Sequence, residues 1–550
     1  MTSTKKWYTR RRYWTLALLA ILVYFCLIPS PLRISPETTG YTEPLLPNGD
    51  VDYFAVYEKM YIDKLSPPED NGYRLLLAAC GPRILEQNAM MNKYAWGELP
   101  TGEDSKQWFH EKWIPLCEHM YIDPYIKPRF LDLLDFYGFM KKEWEANNQD
   151  EKAKYEYKED DNLRQKLAAT PWTAEEYPVF ARWLEQRTPV LDLFGVAVRK
   201  PNYGCYRWRE DTLIAILLPD VQATRAFARD VQVRITERLG KGDVDGAWDD
   251  AMSMFYLSRK HFINDPIIVT NLVGIAIESM GWESAKIVLQ HGNLTAEQLE
   301  RFAKDLDSLP RKPVLDTELD RCVFPYNILK VCASNRRGLF VSIEMITSLS
   351  GDDSSHRRHW YWPTVGAVAF LPVDRNIAGK RMAENIQAER RIIDDSAWNI
   401  SPTVMRKAVV AQEQVLRENA YRAQFPWGFL RVPLIRTRSQ LFADYIFDQF
   451  TPALQAAQNA LDSANTRLEL LRMIVALERY KSDNENYPET LDALIPKYLE
   501  EVPLDPLTGR LSWTYKLAPD AETAVLLHSS EWDGGGKNSN EKNLFIRIAR

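Results

Sequence analysis

Between Tyr13 and Ile28 the chain reads YWTLALLAILVYFCLI without one charge, with Lys5, Lys6, Arg10, Arg11 and Arg12 before it and Pro29 and Pro31 after it. Such a run must leave water. Counted to Leu32 it lies between a signal-peptide core of ~7 to 15 residues and a full span of ~17 to 25. Cleavage after Ser30 or Ser35 would put Pro31 or Pro36 first in the mature chain, which disfavours signal peptidase, and no A-x-A site follows. Tyr24 and Phe25 before Cys26 are too bulky for a lipoprotein site. Residues 13–32 therefore read as an uncleaved anchor, with a cleaved signal and a buried soluble helix as the competing readings. TRRRYW, residues 9–14, faintly matches a twin-arginine signal but reads better as topogenic charge.

Basic flanks stay in the cytoplasm, and Glu37, Glu43 and Asp50 follow the run. This predicts a single-pass protein of the inner, cytoplasmic membrane, with residues 1–12 as a cytoplasmic tail and the body extracytoplasmic. No later stretch reaches eighteen apolar residues.

The net charge of −6 becomes −11 once the five flanking cations are set aside, so the body has no overall attraction for phosphate backbones. Nucleic-acid binding is not expected. Six cysteines in 550 residues are too few for a disulfide scaffold. Cys26 lies in the anchor, which leaves Cys80, Cys117, Cys205, Cys322 and Cys332, an odd number. Cys322 and Cys332 cannot pair along one helix, where ten residues span ~15 Å.

The fold class expected is mainly α: an N-terminal transmembrane helix, an α-α helical stack and a small α+β C-terminal module with a short antiparallel sheet. Prolines and glycines between 33 and 50 suggest a stiff stalk, and residues 51–450 a helical body. Thr173 and Glu176 have capping-box spacing ahead of Phe180, Trp183 and Leu184. Helices are predicted over 221–239, 244–262, 267–289 and 295–309, joined by short turns as in packed hairpins. GDVDGAWDDA, residues 242–251, looks like one tetratricopeptide-type hairpin, though without the copies an array needs. Longer helical stretches are predicted over 317–349 and 376–422.

Three phrases, EDNGYRLLLAACGP at 69–82, PWTAEEYPVFARWL at 171–184 and LVGIAIE at 272–278, resemble a group of planctomycete-type membrane-anchored envelope proteins. That resemblance covers about residues 50–310 and implies architecture and envelope location, with no activity to carry over. Residues 453–550 are similar to the globular part of type II secretion major pseudopilins. Tyr480, Asp483, Asn484, Tyr487, Pro488, Pro503, Asp505, Pro506 and Gly509 match that family's phrases after a helix faced by Leu461, Leu468 and Val475. The resemblance implies one helix, starting near Pro452, against a small sheet. The anchor lacks a G-F-x-x-x-E processing site, so no pilin-like assembly is implied.

Pseudopilins of this type bind calcium before the last strand, where this chain has Ser529–Lys542 with Asp533 as its one clear ligand. A plain glycine-rich hairpin loop is the stronger reading. Glu278 shares a helix face with Asn271 and Gly274; turned inward it would be desolvated and suited to general acid work, with Arg259 or His261 within reach. A structural ion pair is the simpler account. His356 and His359 have helical spacing, but Arg357 and Arg358 oppose a cation. No G-x-S-x-G, P-loop, C-x-x-C or H-E-x-x-H occurs, and no cofactor is expected. The chain thus reads as a membrane-anchored binding or scaffolding protein of the envelope, with envelope proteins as possible partners. A hydrolase using body carboxylates is the alternative.

Overall fold

The computed structural model describes residues 13–19, 28–85, 113–125, 160–209, 218–263, 265–311, 318–334, 373–396, 434–505, 513–517, 524–527 and 545–548, with a few single positions between them. The protein is mainly helical. In chain order the principal helices are α1 (Pro36–Thr39), α2 (Tyr53–Tyr61), α3 (Gly72–Cys80), α4 (Ile114–His119), α5 (Asp160–Ala169), α6 (Pro178–Ala197) and α7 (Pro219–Gly240). There follow α8 (Val244–Tyr256), α9 (Ile268–His291), α10 (Ala296–Asp307), α11 (Phe324–Ser334), α12 (Arg375–Ser396) and α13 (Ile435–Asn484). Single π turns at Leu257–Phe262 and Leu319–Val323 extend α8 and precede α11.

Packing divides the chain into two units, one of residues 1–59, 209–216 and 317–456, the other of 60–208, 217–316 and 457–550. Helix α13 contributes to both.

The second unit is built on α7, α8 and α9. Between α7 and α8 the sequence sets a sharp turn: Gly242 takes φ +79°, and the Asp243 carboxylate accepts the Gly246 N–H at 2.9 Å as N-cap. Ala247, Trp248, Ala251 and Phe255 then recur at helical spacing and are all sealed from solvent. The Trp248 ring stacks on Phe302 of α10 at 3.9 Å, and α10 starts with a reciprocal capping box between Thr295 and Gln298. Thr173 and Glu176 also bond to each other, yet the helix proper starts at Pro178, because Thr173 to Glu176 closes a separate turn.

The described residues of 457–550 group with this unit. The α13 face of Leu461, Leu468, Leu471 and Val475 is buried, as its periodicity requires, but Leu470, Met473, Ile474 and Leu477 are buried too. A helix covered on all sides needs more than three short strands. Trp282 of α9 donates its indole N–H to the Arg467 carbonyl at 3.0 Å, and Arg472 pairs with Asp307. Nor does the helix start near Pro452: it begins at Ile435 and continues through the proline. Burial of Phe447 before that point and of Ala457 and Leu461 after it holds a helix that an interior proline weakens by about 3 kcal/mol.

After α13 come β1 (Thr514–Leu517), β2 (Ala524–Leu527) and β3 (Phe545–Ile548). The side chains of β2 and β3 lie outside the described residues, and the helical class rests on the rest of the chain.

In the first unit, residues 33–50 are not a free stalk. Thr38 and Thr39 are buried, and a Cβ on Gly379 would stand 1.9 Å from the Thr38 carbonyl oxygen, so α1 and α12 meet backbone to backbone. Tyr41 donates to Glu318 at 2.9 Å and Tyr53 to the Thr39 carbonyl at 2.7 Å. Proline-rich composition stiffens the segment, and these hydroxyls and the bare glycine let it dock.

Of the expected anchor, residues 13–19 are helical with Tyr13, Trp14, Leu16, Leu18 and Leu19 exposed, and residues 20–27 lie outside the described set. Among the described residues no helix is long and apolar enough to cross a membrane.

Candidate functional site

Glu278 sits in the middle of α9 on the face it shares with Asn271 and Gly274, and that face turns inward against the π turn. Gly274 permits the approach: a Cβ there would stand 2.6 Å from Cβ of Phe262. Asn271 Nδ2 donates to the carbonyls of Phe262 and Asp265, both at 2.8 Å, and of Ile263 at 3.0 Å, which closes the end of the turn. The π turn has one residue more than an α turn and brings Ser258 and Arg259 together onto Glu278.

Arg259 holds the carboxylate by two nitrogens, Nε at 2.9 Å and Nη2 at 2.6 Å, and Ser258 Oγ donates to the other oxygen at 3.0 Å. The guanidinium is completed by Nη1 donating to the Pro310 carbonyl at 2.8 Å and to that of Arg311 at 3.2 Å. Burial pushes the Glu278 carboxyl above its ordinary range, and Arg259 and Ser258 oppose the shift. Both oxygens are engaged and neither faces solvent. The arrangement ties α9 to the end of α8.

His261, from the same turn, is engaged by Val198 and Tyr203. It donates Nε2–H to the Val198 carbonyl at 2.9 Å and packs beside Tyr203, and burial pushes its imidazole down to about 4.

A second constellation lies in the same unit, and no motif in the sequence points to it. Arg207, 2% exposed, reaches Asp220 at the start of α7 and Asp265 before α9, each at 3.4 Å, and lies 4.2 Å from the centre of the Tyr61 ring. Lys64 stands 3.7 Å from Asp265 and donates to the His261 carbonyl at 2.8 Å, with burial holding its amine below the ordinary lysine range. Two cations and two acids balance. Their positions, 64, 207, 220 and 265, come from four separate segments, so no spacing could have announced them. Close packing supports the group: Gly204 leaves room for Tyr61, whose hydroxyl a Cβ there would meet at 2.5 Å. One oxygen of Asp220 has no hydrogen-bond partner among the described residues.

Nucleophilic chemistry finds no footing at the described thiols. Cys80, Cys117, Cys205 and Cys322 are free and buried, and burial raises the first two and Cys322 to about 12, far from a thiolate at neutral pH. Among the described residues no three His, Cys, Asp or Glu side chains gather as a metal site would need. Asp533 with its loop, and His356 and His359, lie outside the described residues. Compared with protein-family models, with curated proteins and with solved structures, the chain matches none.

Proposed function

We propose that the chain is a single-pass membrane protein of the cell envelope, anchored by residues 13–32 with its N-terminus in the cytoplasm, whose extracytoplasmic body binds or scaffolds other envelope proteins. The observation that carries the binding reading over a catalytic one is the bidentate grip of Arg259 on Glu278, which commits the best-placed acid of the helical body to structure. The antiparallel helices α7, α8 and α9 support it further, since such stacks offer long side-chain faces to partners. The charge of the body argues against nucleic acid, and the cationic flank of the apolar run argues for the orientation.

The end of the chain is read as a borrowed pseudopilin-like α+β element. The pairing of Thr514–Leu517 with Ala524–Leu527, and of that strand with Phe545–Ile548, supports it. So does the bond from the Tyr515 hydroxyl to the Pro488 carbonyl at 2.7 Å, which ties β1 to the segment after α13.

An envelope hydrolase using body carboxylates is the second reading. Asp220 and Asp265 favour it, two acids brought together on Arg207. Crosslinking in intact cells, followed by detergent purification and mass spectrometry of what is retained, separates the two. A discrete set of envelope proteins is expected. A chain that retains no protein but cleaves an envelope glycan or peptide, with the cleavage lost in Asp220→Asn, overturns the binding reading.

A further inference from the structure

The uncharged run of the expected anchor ends at Ile28, and the chain is pinned at Ser30, within the 13–32 bounds of that anchor. Asp374, 3% exposed, makes the pin. Its Oδ2 accepts both the backbone N–H and the hydroxyl of Ser30 at 2.6 Å, and its Oδ1 accepts the N–H of Asn376 at 2.9 Å and of Ile377 at 3.2 Å, which caps α12. Asn376 continues the clamp: its amide donates to the Pro31 carbonyl at 2.8 Å and its Oδ1 accepts the Arg33 N–H at 2.8 Å. The Asp374 N–H in turn donates to Ser439 Oγ at 2.8 Å, and that hydroxyl donates to the Ile435 carbonyl at 2.6 Å in the first turn of α13. One buried carboxylate thus gathers Ser30, the start of α12 and the start of α13.

Two residues of extended chain reach at most ~7 Å. If Ile28 ends a span, the clamp cannot stand off from the bilayer: the starts of α12 and α13 lie in the headgroup layer. The side chains there suit that layer. Arg33 and Arg436 are exposed, and Leu434, 41% exposed, precedes α13. Exposed cations beside an aliphatic side chain are what an anionic lipid surface attracts and partly buries.

Resting on the anchor reading, we infer that the face of the first unit formed by Arg33, Leu434 and Arg436 around the Ser30–Asp374 clamp docks on anionic lipid headgroups and holds that unit against the membrane.

The test uses the full chain reconstituted into vesicles of phosphatidylcholine with one quarter phosphatidylglycerol. Leu434→Cys carries an environment-sensitive fluorophore, and the unsubstituted chain labelled in parallel supplies the background from its own thiols. Flotation with the vesicles reports anchoring, and quenching by headgroup-spin-labelled lipid reports docking. Quenching at position 434 at least twofold above that in vesicles without the spin label is expected, falling by half or more in Arg33→Glu with Arg436→Glu while flotation persists. A chain that floats with an unquenched probe overturns this inference alone. So does a probe shielded from aqueous iodide but untouched by the lipid quencher, since a protein or a second copy then covers the face. A chain that does not float overturns the anchor reading and this inference with it.

Discussion

Arg259 and Glu278 stand nineteen residues apart on consecutive helical segments, and the guanidinium meets the carboxylate through Nε at 2.9 Å and Nη2 at 2.6 Å with neither side chain reaching solvent. Breaking such a pair from one side strands a charge in the core. Arg259→Ala is expected to cost about 3 to 5 kcal/mol in urea unfolding, and Arg259→Met with Glu278→Leu to recover most of it. Glu278→Gln should lower any activity of the protein less than tenfold, below the ~10² to 10⁴ of a general acid or base. A larger loss in a folded variant would restore Glu278 as a catalytic group.

Arg207 neutralises two acids at once, so its loss is felt twice. Arg207→Met leaves Asp220 and Asp265 with Lys64 as their nearest cation and should destabilise by about 3 to 5 kcal/mol. Adding Asp220→Asn removes one stranded charge and should return at least a third of the loss. If the double variant is no better than the single one, the cluster does not act as a charge-balanced unit.

His261 makes folding sensitive to mild acid. Its folded value of about 4 lies below the ordinary imidazole value of 6.5, so the folded state prefers the neutral ring. Lys64 and Lys260 nearby work in the same direction. The stability it supplies is complete above pH 6.5 and is lost as pH falls toward 4, to a total of about 3 kcal/mol. Urea midpoints measured across that window should fall more steeply for the native chain than for His261→Gln, which keeps a donor for Val198. Parallel curves would refute the assignment.

Gly379→Ala tests the docking of residues 30–41. With the Thr38 carbonyl oxygen 1.9 Å from the new Cβ, α1 must lift from α12, at about 1 to 3 kcal/mol. Limited proteolysis should then cut between 30 and 50 in the variant at protease levels that leave the native chain whole. Equal resistance would mean the two backbones are not in contact in solution.

Anchoring has a direct measurement. Carbonate-washed membranes should retain the full-length chain, with the body open to protease only from the outer side, because Tyr13 to Ile28 carries no charge and follows five cations. A soluble form beginning near Gly40 would sink the anchor.

Local features are legible in the order of residues alone. The helix expected over 221–239 spans 219–240, and that over 267–289 spans 268–291, because apolar periodicity, the Gly242 turn and the Asp243 cap act between residues a few positions apart. Composition likewise separates an acidic body from a cationic N-terminus. What only the tertiary structure decides are meetings between distant segments. Proline content in 33–50 speaks for stiffness, and docking depends on a bare glycine more than three hundred positions away. A helix start at Pro452 is sound by propensity, and burial on both sides of the proline overrides it. Arg207, Lys64, Asp220 and Asp265 carry no mark in the sequence, since whether a charge is buried, and which opposite charge stands 3.4 Å away, is set by how helices pack and not by the order of residues along any one of them.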